Sequence, residues 1–224
     1  MNLNKWLSLF LLTGICQAQV PTRQQTVVLA RQVELRNLDG TSADAIAALL
    51  TQAQAPGGII SAYGACTAPG TEHISVSPGT LQQGLDYISM VDPSRKWTLK
   101  DGVILVGHDT ANGTILNTVI RSIDISPNDA LSLVAQRLLQ TVETQTAIKE
   151  ANLDEMIPPL GLSPIKPSEE TSSRKSAPPS KHFENVTLEQ ALNSLAAMHG
   201  NAVWHFEQFK CGAKSSFRIS WIVS

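Results

Sequence analysis

Two stretches of this chain repeat each other at a constant separation of 107 residues, and that spacing limits the architecture more than any other feature. Thr80-Leu81-Gln82-Gln83-Gly84-Leu85 leads to Trp97-Thr98-Leu99, and Thr187-Leu188-Glu189-Gln190-Ala191-Leu192 leads to Trp204-His205-Phe206, with no gap between the copies. In each, a Thr precedes an apolar helical pattern and a Gln stands three positions on. The hydroxyl accepts from the third helical N–H while the Gln side chain reaches back to the cap. Leu81, Leu85 and Ile88, like Leu188, Leu192 and Leu195, fall on one helical face. Trp97 or Trp204 then opens a strand that covers that face. Each copy reads as capped helix, tight return and strand, with Leu81, Leu85 and Trp97, or Leu188, Leu192 and Trp204, at its core.

The rest of the chain supplies the same kinds of element. A strand pattern over 33–38 precedes Thr41 and Asp44, a third capping box, and Ala45, Ile46, Leu49 and Leu50 form a helix stopped by Pro56-Gly57-Gly58. Ile59, Ile60 and Tyr63 read as the strand that follows, and Ile74 and Val76 as another. Lys100-Asp101-Gly102 is a hairpin signal between Trp97-Thr98-Leu99 and the apolar run 103–106. Over 111–156 a β-branched strand is followed by Ser126, Pro127 and Asp129, a fourth helix start. Leu131, Val134, Leu138 and Val142 then continue at helical spacing as one long amphipathic helix. Residues 157–181 are rich in proline and small polar residues and predict a flexible tether, because such a composition buries too little surface to offset ordering entropy. The second copy occupies 182–224, with a longer loop holding Cys211 and a last strand in which Phe217, Ile219, Trp221 and Val223 share a face. The class is α+β (mixed α/β): small strand-helix-strand or hairpin modules, with sheet packed on amphipathic helices. The first module region is 19–110, and its repeat copy spans 74–106.

Residues 1–18 have the form of an export signal, with Lys5, an apolar run over 6–15 and Cys16-Gln17-Ala18 as cleavage site. That run is shorter than the roughly 20 residues a membrane span needs, so the expectation is an exported protein, periplasmic or secreted, and not an integral membrane protein. Export leaves Cys66 and Cys211 where pairs close into disulfides; two free thiols or one reactive thiol are the alternatives. With 17 basic against 19 acidic residues and no basic block, the chain lacks what binding a run of phosphates requires, and nucleic acid is not an expected partner.

The helix of each copy resembles the short N-terminal module shared by secretins and TonB-dependent receptors, whose pattern is an apolar position, Leu, two residues, Ala-Leu, two residues, Leu, four residues, Gly. Leu188, Ala191, Leu192, Leu195 and Gly200 fit at every step; in the first copy Leu81, Leu85 and Ile88 fit, with Gly84 in place of Ala and Pro93 in place of the closing Gly. The resemblance implies a strand-helix-strand fold and a role in protein–protein contact at the cell envelope. It brings no catalytic residue and no cofactor. No barrel or pore segment follows the second copy in this sequence, so the resemblance is to the module and not to a whole receptor or secretin.

Residues able to carry chemistry are scattered. Of His73, His108, His182, His199 and His205 only the last two are neighbours in sequence, which is not a zinc pattern. No Gly-x-Ser-x-Gly elbow and no phosphate-cradling loop occur. Asp44, Asp129 and Glu189 sit at helix starts, where the dipole favours a negative charge, which leaves Glu207. No catalytic, cofactor or metal residue is assigned. The expectation is a non-enzymatic envelope protein that binds another envelope or secreted protein. The alternatives are an exported enzyme with its cleft between modules, using His199, His205 or a carboxylate pair, and a periplasmic binder of small ligands.

Overall fold

The computed structural model describes residues 27–66, 70–107, 114–126, 129–156 and 180–223. The export signal, His108, the Asn112-Gly113 turn, Pro127 and the Pro-rich tether through residue 179 lie outside them. The elements are β1 (Gln32–Gly40), α1 (Ser42–Gln52), β2 (Gly57–Tyr63), β3 (Glu72–Thr80), α2 (Leu81–Val91), β4 (Trp97–Lys100) and β5 (Val103–Val106). They continue with β6 (Val119–Ile125), α3 (Leu131–Leu139), α4 (Val142–Glu150), β7 (Leu153–Glu155), β8 (Lys181–Thr187), α5 (Leu188–His199), β9 (Ala202–Cys211) and β10 (Lys214–Val223). The fold is α+β.

A six-stranded sheet, ordered β4-β5-β2-β9-β10-β7, runs through the middle, and two antiparallel ribbons, β1-β3 and β6-β8, lie outside it. β4 is antiparallel to β5, which is parallel to β2; β9 is antiparallel to β10, which is parallel to β7. The two triplets meet where β2 runs parallel to β9. Since that makes β9 antiparallel to β4, a half-turn about an axis lying in the sheet across the strands, plus a shift, relates the strand order and directions of one triplet to those of the other. A half-turn of this kind exchanges the faces of the sheet. Accordingly α1, α2 and the β1-β3 ribbon pack with Ile59, Ile104, Val106 and Val203 on one face. The helices α3 and α5 and the β6-β8 ribbon pack with Ile60, Val103, Leu105, Trp204, Phe206 and Phe217 on the other. The middle strands are covered on both faces, which is why β5 is Val-Ile-Leu-Val with all four residues buried.

Capping boxes at Thr41, Thr80 and Thr187 are all present, each with the hydroxyl accepting from the third helical N–H and the third side chain accepting from the cap N–H. Asp101 and Gly102, both at positive φ, make the tight turn between β4 and β5.

Four sequence expectations are corrected. Ser126 caps none of the described helices: its N–H donates to Asp129 Oδ2 at 3.3 Å, and α3 begins at Leu131 behind Ala130, which makes no side-chain cap bond. The single long helix is two, because Thr141 accepts from Thr144 N and starts α4 afresh, leaving Val142 exposed. Gly57 and Gly58, read as the stop of the preceding helix, lie beyond its end at Gln52 and begin β2, where Leu50 and the Trp204 indole occupy the space a Cβ would need. The loop expected around Cys211 is strand, and β9 and β10 are joined at Gly212-Ala213 with Cys211 paired to Lys214; a buried Glu207 at its centre hid the strand from a reading of polarity.

Candidate functional site

The seam between β2 and β9 is where the chemistry-bearing side chains gather. Seven residue pairs from Gly57↔Val203 to Tyr63↔Phe209 hold it. Beyond its end Cys66 and Cys211 stand at disulfide distance, their Cα atoms 4.5 Å apart, with a separation of 145 in sequence.

Across the seam runs a chain of buried polar groups. Arg95, in the 3-10 turn Pro93–Arg95 that Asp92 caps, sends its guanidinium inward to donate to Ile60 O (3.1 Å), Ser61 Oγ (2.8 Å) and Ser42 Oγ (3.0 Å), 3.4 Å from Asp92 Oδ2. Ser42 in turn donates to Asp92 Oδ2 at 2.6 Å. Burial raises the Asp92 carboxyl, but the hydrogen bonds from Ser42 and Ser94 and the charge of Arg95 outweigh it and hold the group below the ordinary range. Ser61 Oγ lies 3.0 Å from His205 Nε2. With Ser61 Oγ accepting from Arg95, we assign its hydrogen to Nε2, which makes Nε2 the acceptor and places the ring proton on Nδ1, toward Glu207. Nδ1 faces Glu207 Oε2 at 3.9 Å, and Glu207 accepts from Arg218 Nε. Burial lowers the His205 pKa to about 4, against the opposing pull of Glu207.

This line of Ser61, His205 and Glu207 has the residue types of a nucleophilic triad but not its working geometry. Ser61 is 1 % exposed and held by a guanidinium, and 3.9 Å is too long for the bond that orients the base. Of the three, His205 and Glu207 reach a surface cleft, about 330 Å³, shared with Thr41, Asp44, Tyr63 and Arg218.

The open end of the sheet at β4 is the second place of interest. The indole N–H of Trp97 donates to Asp86 Oδ1 at 2.9 Å and that of Trp204 to Asn193 Oδ1 at 3.0 Å; Asp86 and Asn193 are themselves 107 residues apart. The two tryptophans thus make the same bond to the same helical position. Their burial differs: Trp204 is wholly buried, with Gly58 of β2 against its ring, whereas Trp97 is half-buried on a strand that has, among the described residues, no neighbour on its outer side. On the face of β4 away from Trp97 and Leu99, Thr98 and Lys100 are exposed, and Lys100 borders a groove of about 580 Å³ reaching Val103, Lys181, Ala197 and Met198.

The other predicted residues are dispersed. Leu81, Leu85, Leu188 and Leu192 are buried in the two cores. His199 closes α5, away from His205's cleft, and Glu189 is buried in the first turn of that helix. Asp129 pairs with Arg137 at 3.0 Å. His73 bonds Asp39 across the β1-β3 ribbon, and His182 bridges Asp124 and Glu184 on the β6-β8 ribbon; those carboxylates raise its pKa. Among the described residues no three His, Cys, Asp or Glu side chains converge as a metal centre would require, and no helix is long and apolar enough to cross a membrane. Sequence reasoning missed Arg95 and Ser61. Ser61 had a signal, a polar residue inside the apolar run of β2; Arg95 had none. No family model, curated protein or solved structure matches this chain.

Proposed function

We propose that this chain is a non-enzymatic exported cell-envelope protein in which one small module, used twice, serves as a protein-interaction unit. The observation that carries the reading is the unequal cover of two equivalent tryptophans. Trp204 lies beneath a strand lent by the neighbouring module, and Trp97, with the same bond to the same helical position, stands at an open edge. A surface that binds a strand in one copy is left uncovered in the other, and sheet edges bind extended segments through main-chain hydrogen bonds. The resemblance of α5 to the secretin and TonB-receptor module supports the envelope setting, and the Cys66–Cys211 pair supports export. A photo-reactive residue at Thr98, in cells exporting the full chain, is expected to give a discrete adduct that the same residue at Lys149 on α4 does not. No adduct at 98, or identical adducts at both, overturns the reading.

The cleft beside His205 and Glu207 favours a second reading, an exported enzyme or a binder of small ligands. A ligand that raises Tm for the native chain and not for Arg218→Ala would establish it in place of the first.

A further inference from the structure

If the protein-interaction reading holds, on which this inference rests, the internal seam shows the form that a strand seated on β4 must take. On β9, Trp204 pairs with Gly58, Phe206 with Ile60 and Glu207 with Ser61. By the separation of 107, the corresponding residues of β4 are Trp97, Leu99 and Lys100. A Cβ at Gly58 would run into the Trp204 ring, so the residue beside this tryptophan has to be small. Two positions later Ile60 is buried among apolar neighbours. The next position faces Glu207 in the seam but a lysine on β4. Lys100 borders the groove that Lys181 also lines, with the Asp101 carboxylate at its rim. Backbone groups for a new strand are available. Lys96 O accepts from Gly107 N, so alternation along the antiparallel pair turns the N–H and C=O of Trp97 and Leu99 outward.

We infer that the open edge of β4 takes an extended segment of another protein, running parallel to β4, with a small residue against Trp97, an apolar residue two positions later and an acidic residue three positions later against Lys100 and the groove it shares with Lys181. A second copy of this chain is a poor occupant. Its edge strand β7 holds the place of β2 but pairs with β10 only from Ser215 to Phe217, three residues short of Ser220, the counterpart of the Leu105 that pairs with Gly58. Among the described residues it therefore brings no paired residue to the position beside the tryptophan. A lysine on an edge strand deters indiscriminate pairing; here it also selects for the acidic partner.

The test uses the full chain and a labelled synthetic peptide with the sequence of positions 56–63, glutamate replacing the serine of position 61. Saturable binding by fluorescence anisotropy is expected, with the Trp97 indole N–H resonance moving and that of Trp204 unmoved. Leucine at the second glycine of the peptide, or lysine in place of its glutamate, is expected to weaken binding about tenfold or more. Lys100→Glu should reverse the preference between the glutamate and lysine peptides. Absence of saturation up to about 1 mM, equal binding of the leucine peptide, an unchanged preference in Lys100→Glu, or self-association of the chain that the peptide displaces would each overturn the inference. An adduct at position 98 in cells without peptide binding leaves the interaction reading standing and removes this one; peptide binding without an adduct does the reverse.

Discussion

Acidification should loosen the seam through His205. The imidazole is buried, accepts from Ser61 at Nε2, and has its pKa lowered by burial from 6.5 to about 4. Protonating Nε2 requires the Ser61 hydroxyl to turn away, and it sets a second cation one serine away from Arg95, which donates to that same hydroxyl at 2.8 Å. The groups facing the ring are Arg95 and Ser61 on one side, Glu207 and Arg218 on the other, and Asp44 across the cleft. A folded pKa below the unfolded one means that the unfolded chain takes up the proton first. His205 therefore leaves stability intact above about pH 6.5 and removes it as pH falls toward 4, with no further loss below. Between about pH 7.5 and 4.5 the linkage amounts to roughly 2–3 kcal/mol. The assay is urea unfolding at a series of pH values for the native chain and for His205→Gln, whose amide oxygen still accepts from Ser61. Asp92, whose pKa is lowered, loses its contribution only below the window and in both proteins. The native chain is expected to lose roughly 2–3 kcal/mol more than the variant across this interval. Parallel losses in the two would refute the argument that His205 is held neutral by its surroundings.

Three further outcomes follow from the packing. Gly58→Ala forces the Trp204 ring to shift and should cost about 1–3 kcal/mol with a red-shifted emission, whereas Gly64→Ala, with open space around it, should change stability by less than about 0.5 kcal/mol. Asn193→Leu leaves the wholly buried Trp204 N–H without its acceptor and should cost about 1–3 kcal/mol in urea unfolding, while Asp86→Leu costs less because water reaches half-buried Trp97. Reducing Cys66–Cys211, or replacing both by serine, opens a loop of 145 residues and should lower stability by about 3–5 kcal/mol, read from the urea midpoint with and without a phosphine reductant.

What could be read from the sequence was local. Thr41, Thr80 and Thr187 announced their helices because a capping box is written within four residues, and Asp101-Gly102 announced its turn for the same reason. Ser126 misled because its N–H bonds Asp129 without a described helix starting there, and no local rule says whether such a bond is followed by helix. Beyond the β4-β5 hairpin, strand partnership was not legible. β1 pairs with β3 and β2 with β9, choices decided by which faces must be buried and not by which strands are adjacent in the chain. The polar seam was hidden for the same reason. His205 suggested a partnership with His199 six residues away, yet its partner is Ser61, 144 residues distant.

The matched strand order of the two triplets and the open edge at β4 are two aspects of one geometry. Had the two triplets been joined by a twofold axis perpendicular to the sheet, like edges would have met and the outer edges would have been identical, as in an isologous dimer. A half-turn lying in the sheet with a shift joins unlike edges, the β2 side of one triplet to the β9 side of the next, and leaves one edge of each kind without a strand neighbour among the described residues. Such an operation has no reason to stop at two. It is stopped at the β7 end, where among the described residues only three pair with β10, short of Ser220, the counterpart of the residue that pairs with Gly58. The β4 end keeps the tryptophan, the helix acceptor and the outward backbone groups of the filled seam, with a lysine added. A short strand at one end and an unfilled edge at the other form the asymmetry on which the proposed docking of a single partner strand rests.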